Sequence, residues 1–254
     1  EDLDHKPLDH KILAKTTSPP ESHPAGTVQD FTLAENLKVK MVWIPPGTFL
    51  MGSASDQGQG DERLHQVTLT QGRWMGQTEV TQEQWEAVMG RNPSKFKDEN
   101  LPVERVSWEL VEDFLFKVNL QFKGNGHFRL PTEAEWEYAC RAGNEDGFDG
   151  VTDEMTWHKG NSDGKSHPPA QKEPNAWGLY DMHGNIWEWC SDWLGNYPKG
   201  KVVDPKGPAS GKYKIFRGGS WNWPLSYCTS FNRNNNTPRG YSKELGFRLV
   251  RDPG

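Results

Sequence analysis

From Val39 the chain reads VKMVWIPPGTFLMGS, with apolar positions on both sides of Pro45, Pro46 and Gly47, a pattern that predicts two strands joined at a turn. His65–Thr70, HQVTLT, alternates again and predicts a third strand. Three helices follow. Thr81-Gln-Glu-Gln84 ahead of Trp85 and Val88 has the form of a capping box, and that helix should end at Gly90. Ser107 opens the second, which carries Trp108, Val111, Phe114, Leu115 and Val118 at helical spacing and must bury that face. Thr132-Glu-Ala-Glu135, preceded by Pro131, opens the third, and Gly143 should close it.

Beyond Gly143 helical periodicity disappears. The text becomes rich in Gly, Asn, Asp and Pro, with short apolar stretches such as KIFRGGSW and GFRLVR. Trp157, Trp177, Trp187, Trp189, Trp193, Trp221 and Trp223 are spread through it, so these loops are expected to be pinned to a folded core by large aromatics. Residues 1–28 combine Pro19, Pro20 and Pro24 with charged and hydroxyl residues and have too few apolar side chains to offset ordering; they read as a tether, leaving 29–254 as one domain.

Only 33% of residues are hydrophobic, yet 12 are Trp and 26 are Gly, which fits a loop-rich globule better than a helical bundle. A net charge of −6 without a basic run makes nucleic acid a poor partner. No apolar stretch approaches the roughly 20 residues that span a bilayer. Three cysteines, Cys140, Cys190 and Cys228, cannot all pair with one another and none lies in a CxxC arrangement, so cysteine usage leaves the compartment open.

Seven phrases occur in order between about residues 38 and 251: MVWIPPGTFLMGS, the Glu79-Val-Thr-Gln pattern, LPVERVSW, FRLPTEAEWEYACRAG, GLYDMHGNIWEWCSDW, FRGGSW and LGFRLVR. Together they make the chain resemble the formylglycine-generating-enzyme (sulfatase-modifying factor) family. The resemblance implies an α+β fold of the C-type lectin kind, loop-rich, with short antiparallel sheets and flanking helices. Family members that oxidise a sulfatase cysteine use two cysteines after the GGS turn to bind copper. Aligned on Gly218-Gly219-Ser220, the second falls on Cys228 and the first on Trp223, which offers no metal lone pair. No copper is therefore expected, and the chain is expected not to be an enzyme. Cys140 matches a family cysteine whose disulfide partner falls on Arg233, so that bridge cannot form. Histidine-ligated iron chemistry, found in a relative with an added helical domain, lacks that domain here, while oxidative tailoring of a small metabolite is implied by fold alone.

The segment from Trp221 to Leu245 mixes Asn and small residues with aromatics between GGS and GFRLVR, a composition suited to adaptable binding surfaces. This framing resembles the variable region of proteins diversified by retroelements, in which Asn codons are randomised at their adenines. Pro224, Leu225, Ser226, Tyr227, Phe231, Arg239, Gly240 and Tyr241 are compatible with such codons; Trp223, Lys243 and Glu244 are not. The candidate contact residues are these together with Asn222, Asn234 and Asn236. The ligand is expected to be a protein or a glycan. The resemblance further implies a calcium site on the GLYDMHGNIWEW turn, with Asp181, Gly184, Ile186 and Glu188 as ligands. It also implies a monomer displayed outside the cytoplasm at the cell surface, lipid-anchored through an N-terminus not contained in this chain.

Overall fold

In a computed structural model, residues 21–53, 63–121, 126–144 and 151–253 are described. Val28–Ala34 (β1) and Leu37–Ile44 (β2) form an antiparallel hairpin turning at Asn36, whose φ of 62° is left-handed, a conformation that Asn tolerates better than most residues. The expected turn at Pro45-Pro46 leads into Gly47–Met51 (β3), paired with His65–Leu69 (β4), and Arg73–Gly76 (β5) then pairs back onto β2. Of the expected tether, residues 1–20 lie outside the described residues, but 21–27 are docked. The His23 ring lies 5.1 Å from Trp43 and 4.9 Å from Trp74, and the Trp74 indole donates to Glu21 at 3.0 Å. Two large aromatics offer a platform that a local composition count cannot see.

All three helices start where their caps predict. Thr81 and Thr132 each complete a reciprocal capping box, opening Gln82–Met89 (α1) and Glu133–Arg141 (α3). The Ser107 hydroxyl accepts from the Leu110 amide at the start of Trp108–Gln121 (α2). Gly90 terminates α1 in the left-handed region as expected, whereas α3 ends one residue earlier than Gly143, at Ala142. The expected apolar face of α2 is buried at Val111, Phe114, Leu115 and Val118, and Phe114 stacks on Trp85 of α1 with Phe247 edge-on.

The remaining strands are short: His127–Arg129 (β6), Trp187–Trp193 (β7), Val202–Val203 (β8), Lys214–Arg217 (β9), Arg233–Asn236 (β10), Leu245–Gly246 (β11) and Val250–Asp252 (β12). Among the described residues they complete three sheets, ordered β1-β2-β5-β12-β6, β10-β9-β7-β11 and β3-β4-β8. The α+β class is as expected, but the C-type lectin fold is not what these strands build. Its motifs specify individual elements, while the fold is decided by which strands meet. Here the chain's last strand, β12, enters the first sheet between β5 and β6, and β11 joins β7 in parallel.

An ion-pair network ties α3 to the second sheet. Arg217 of β9 pairs with Glu137 and lies 3.4 Å from Glu133, Arg233 of β10 grips Glu133 through two bonds of 2.6 and 2.9 Å, and Arg141 donates to Glu137 at 2.7 and 2.9 Å. All five side chains are buried. Asp192 of β7 sits at the network's edge, accepting from the Glu133 amide at 3.0 Å and the Ser191 hydroxyl at 3.1 Å; burial, reinforced by Glu133, pushes its carboxyl up to about 7.

A raised carboxylate pKa favours folding below the value in the unfolded chain, about 4, and that contribution is lost as pH rises toward 7. Asp192→Asn keeps a side-chain oxygen for both donors and removes the buried charge. Thermal unfolding should show the variant more stable than the parent at about pH 8, by up to a few kcal/mol, with the difference vanishing near about pH 4; a pH-independent difference would contradict the assignment.

Candidate functional site: the loop after the GGS turn

β9 runs into Gly218 and Gly219, both left-handed with φ of 102° and 81°. A Cβ at Gly219 would stand 2.6 Å from the Cys228 sulfur, so glycine is required for the turn to close over that thiol. Cys228 is fully buried, its Sγ near the carbonyls of Ser220 and Pro224, and burial pushes the thiol up to about 12. Trp223 is half-buried, edge-on to Trp187 at 5.6 Å and packed against the core, with Tyr227 5.4 Å away.

Glu244 organises the outer layer. Its Oε2 accepts from the Ser220 hydroxyl at 3.0 Å and the Trp223 indole at 3.1 Å, and its Oε1 accepts from the Asn222 amide at 2.9 Å. One carboxylate thus fastens the segment after the GGS turn to the segment before β11. Pro224 leads into a single 3-10 turn, Leu225–Tyr227, that leaves Ser226 and Tyr227 exposed and Leu225 half-buried. On the facing segment, Tyr241 is 57% exposed with the Arg105 guanidinium 5.6 Å from its ring, and the Lys243 ammonium covers the buried Trp221 at 4.6 Å.

The other expected contact residues lie elsewhere. Phe231 is buried. Asn234 and Asn236 stand in β10, where their side-chain oxygens accept from the Asn235 and Thr237 amides. Gly240 closes the following turn against Asn236, and Arg239 extends outward to Glu109 at the start of α2. The structure therefore divides the expected set into a clamped surface, 222–227 with 241–244, and a flanking strand and turn.

The acidic turn behind this surface is tightly formed: Asp181, Gly184 and Asn185 all have positive φ, and a Cβ at Gly184 would meet the Trp157 carbonyl at 2.2 Å. Of the expected calcium ligands, Glu188 is already engaged, with Arg248 donating 2.6 Å bonds to both its oxygens and Trp136 adding one at 2.7 Å. Asp181 accepts from the Ala170 amide with one oxygen, while its Oδ1 is buried without a hydrogen-bond partner; burial pushes this carboxyl up to about 6. Ile186 is buried in the core. A residue outside the expected set, Glu79, completes the cluster: it accepts from Asn185 at 3.0 Å, its Oε2 also has no partner, and burial, then the Asp181 and Glu188 charges, push it up. Its signal was present in the Glu79-Val-Thr-Gln phrase. Three buried carboxylates against one arginine leave negative charge to be neutralised by protons or a cation. Asp181 and Glu79 offer oxygens for a cation and Glu188 does not, so the residues fit calcium only in part; no group of three or more His, Cys, Asp or Glu side chains among the described residues is arranged around one metal position. The neighbouring Asn161 loop closes by its own bonds, to the His158 amide and the Thr156 carbonyl.

A recognition or catalytic loop carried on a three-sheet α+β scaffold, beneath a GGS turn, defines a class of proteins built on one domain. The chain belongs to the sulfatase-modifying factor enzyme 1-like domain family, whose model matches residues 29–253. It is 36% identical over 175 residues to the formylglycine-generating enzyme of Streptomyces coelicolor, an alignment covering 60% of this chain and 53% of that enzyme, so the chain spans about half the length of that relative. Among solved structures it is similar to Treponema denticola variable protein 1, with a TM-score of 0.81 and 31% identity over 89% of this chain and 99% of the other. PvdO from Pseudomonas aeruginosa superposes with a TM-score of 0.77 at 27% identity, covering 91% of this chain and 100% of PvdO. This likeness assigns the fold to the formylglycine-generating-enzyme type of α+β architecture and overturns the expected C-type lectin fold.

Because Glu244 accepts three side-chain hydrogen bonds across the two halves of the clamped surface, Glu244→Ala should destabilise by about 1–3 kcal/mol and speed amide exchange across 220–224 while leaving α1–α3 protected. Unchanged exchange in that segment would show that backbone contacts alone hold it.

Proposed function

We propose that this chain is a non-catalytic binding protein whose recognition face is the surface formed by residues 222–227 and 241–244. The observation that carries the reading is the Glu244 clamp, which presents Asn222, Ser226, Tyr227 and Tyr241 outward from a fastened base. Tyrosines with small polar neighbours supply contact area at low entropic cost, and a pre-fastened loop reduces the ordering penalty on binding. The fold-wide likeness to a variable protein supports the same reading. Against the oxidase reading stands the pairing of a single deeply buried thiol, Cys228, with Trp223 where a second soft ligand would be needed. The ligand is a protein or glycan met outside the cytoplasm, and the chain acts as a surface-displayed, lipid-anchored monomer.

Sibling chains from the same genome should differ mainly at 222–244, next to a reverse-transcriptase gene and a near-copy of codons 221–245; divergence spread evenly along the chain would contradict the proposal. Cu(I) competition with a chromophoric chelator separates the alternatives directly, since stoichiometric binding through Cys228 would favour the oxidase.

Calcium belongs to the same reading as a structural ion at the acidic turn, held through Asp181 and the Gly184 and Ile186 carbonyls, beside Glu79. Calcium in place of a chelator should raise the melting temperature, by an amount corresponding to about 2.7 kcal/mol at a hundredfold excess over Kd, and Asp181→Asn should abolish the rise. An identical melting temperature under both conditions would leave the cluster neutralised by protons alone.

A further inference from the structure

Behind the recognition loop, at the C-terminal end of α3, the sulfur of Cys140 lies 3.5 Å from Nε2 of His183. The other ring nitrogen, Nδ1, lies 2.7 Å from the Cys228 carbonyl oxygen. A carbonyl only accepts, so Nδ1 carries a ring proton, and in the neutral ring Nε2 is the acceptor that faces the thiol, whose other acceptor is the Met182 carbonyl at 3.8 Å. A nucleophile, a base within reach and a third group that orients the base are the three parts of an activated thiol. Both residues are themselves buried and border a cavity of about 530 Å³, together with Asn144, Met155, Pro174 and Asn175. Among the described residues no histidine ring is hydrogen-bonded to the sulfur of Cys190 or Cys228: both are completely buried, and burial pushes both thiols up. Asn175 bonds the carbonyls of Ala139 and Cys140, holding the end of α3 against the cavity wall.

We propose that Cys140 and His183 form a nucleophilic thiol–imidazole pair that takes up low-molecular-weight disulfides from this cavity. The C-terminal end of a helix disfavours a standing thiolate, so the sulfur keeps its proton until it attacks. As Cys140 Sγ bonds to one sulfur of the disulfide, its proton passes to His183 Nε2 and the reagent's S–S bond breaks. The second sulfur departs as a thiolate, which takes the proton. Cys140 is oxidised to a mixed disulfide and the departing sulfur is reduced to a thiol. Because His183 is bonded to the Cys228 carbonyl, within the segment between the GGS turn and β11, an adduct at Cys140 presses on the base of the proposed recognition face. The chemistry itself does not depend on that face binding a ligand.

Glutathione disulfide is the probe, with the adduct located by peptide mass spectrometry on the folded chain. One mixed disulfide is expected, on Cys140; it is absent in Cys140→Ser. In His183→Asn, an amide that can still donate to the Cys228 carbonyl, its formation should slow about 100-fold, the lower range of general-base contributions. The same measurement in urea covers the case in which His183→Asn does not fold: the parental Cys140 should react faster folded than unfolded, whereas a merely buried thiol reacts faster once unfolded. No adduct, an adduct confined to Cys190 or Cys228, or acceleration on unfolding would overturn the proposal.

Discussion

The pairing of Arg217 with Glu137, buried between β9 and α3, is the constraint on which the rest of this structure depends. An isolated charge at either position would be prohibitive, so the strand and helix must meet in one register for both to be satisfied. Once they do, Arg217 also donates to the Asn232 carbonyl, Arg141 closes the other side of Glu137, and the GGS turn that follows Arg217 is held at a fixed height above the core. The loop that carries the proposed function thus grows from a point set by ionic registry, and not by hydrophobic burial alone.

Arg233 extends that logic. Family resemblance puts a disulfide partner of Cys140 at position 233, which would join α3 to β10 covalently. Here Arg233 joins the same two elements by gripping Glu133. In place of the covalent link that the resemblance implies stands a buried bidentate ion pair, whose two parallel bonds fix geometry as well as adding energy. The substitution leaves Cys140 as a thiol beside His183.

The same replacement of chemistry by packing marks the loop itself. Trp223 falls where the family resemblance implies a metal-binding cysteine, and its indole is used twice, edge-on to Trp187 and donating to Glu244. Glu244 fastens Asn222 as well, so the outward tyrosines stand on a fixed base while Cys228 stays sealed beneath Gly219. Such an arrangement suits a surface whose outer residues change while its foundation does not.

Helix starts were legible in the sequence because caps are local: Thr81, Ser107 and Thr132 each satisfy amides within three residues. The β2–β4 strands were legible from alternation around the Pro45-Pro46 turn, and family membership from the ordered motifs that the domain match bears out. Strand β7 was not legible, because WEWCSDW is buried almost throughout and shows no alternation, and neither was β10, because RNNN has no intrinsic preference for a strand and pairs only because β9 lies beside it. The role of Glu79 and the burial of Phe231 depend on segments far apart in the chain meeting in space. Composition could identify the 221–245 segment as the place to look; only tertiary structure decided that Glu244 is its clamp, that Glu188 belongs to Arg248, and that Cys140 faces a histidine. Local bonds can be read along a chain, whereas partners brought together across the fold are known only once the sheets have chosen their neighbours.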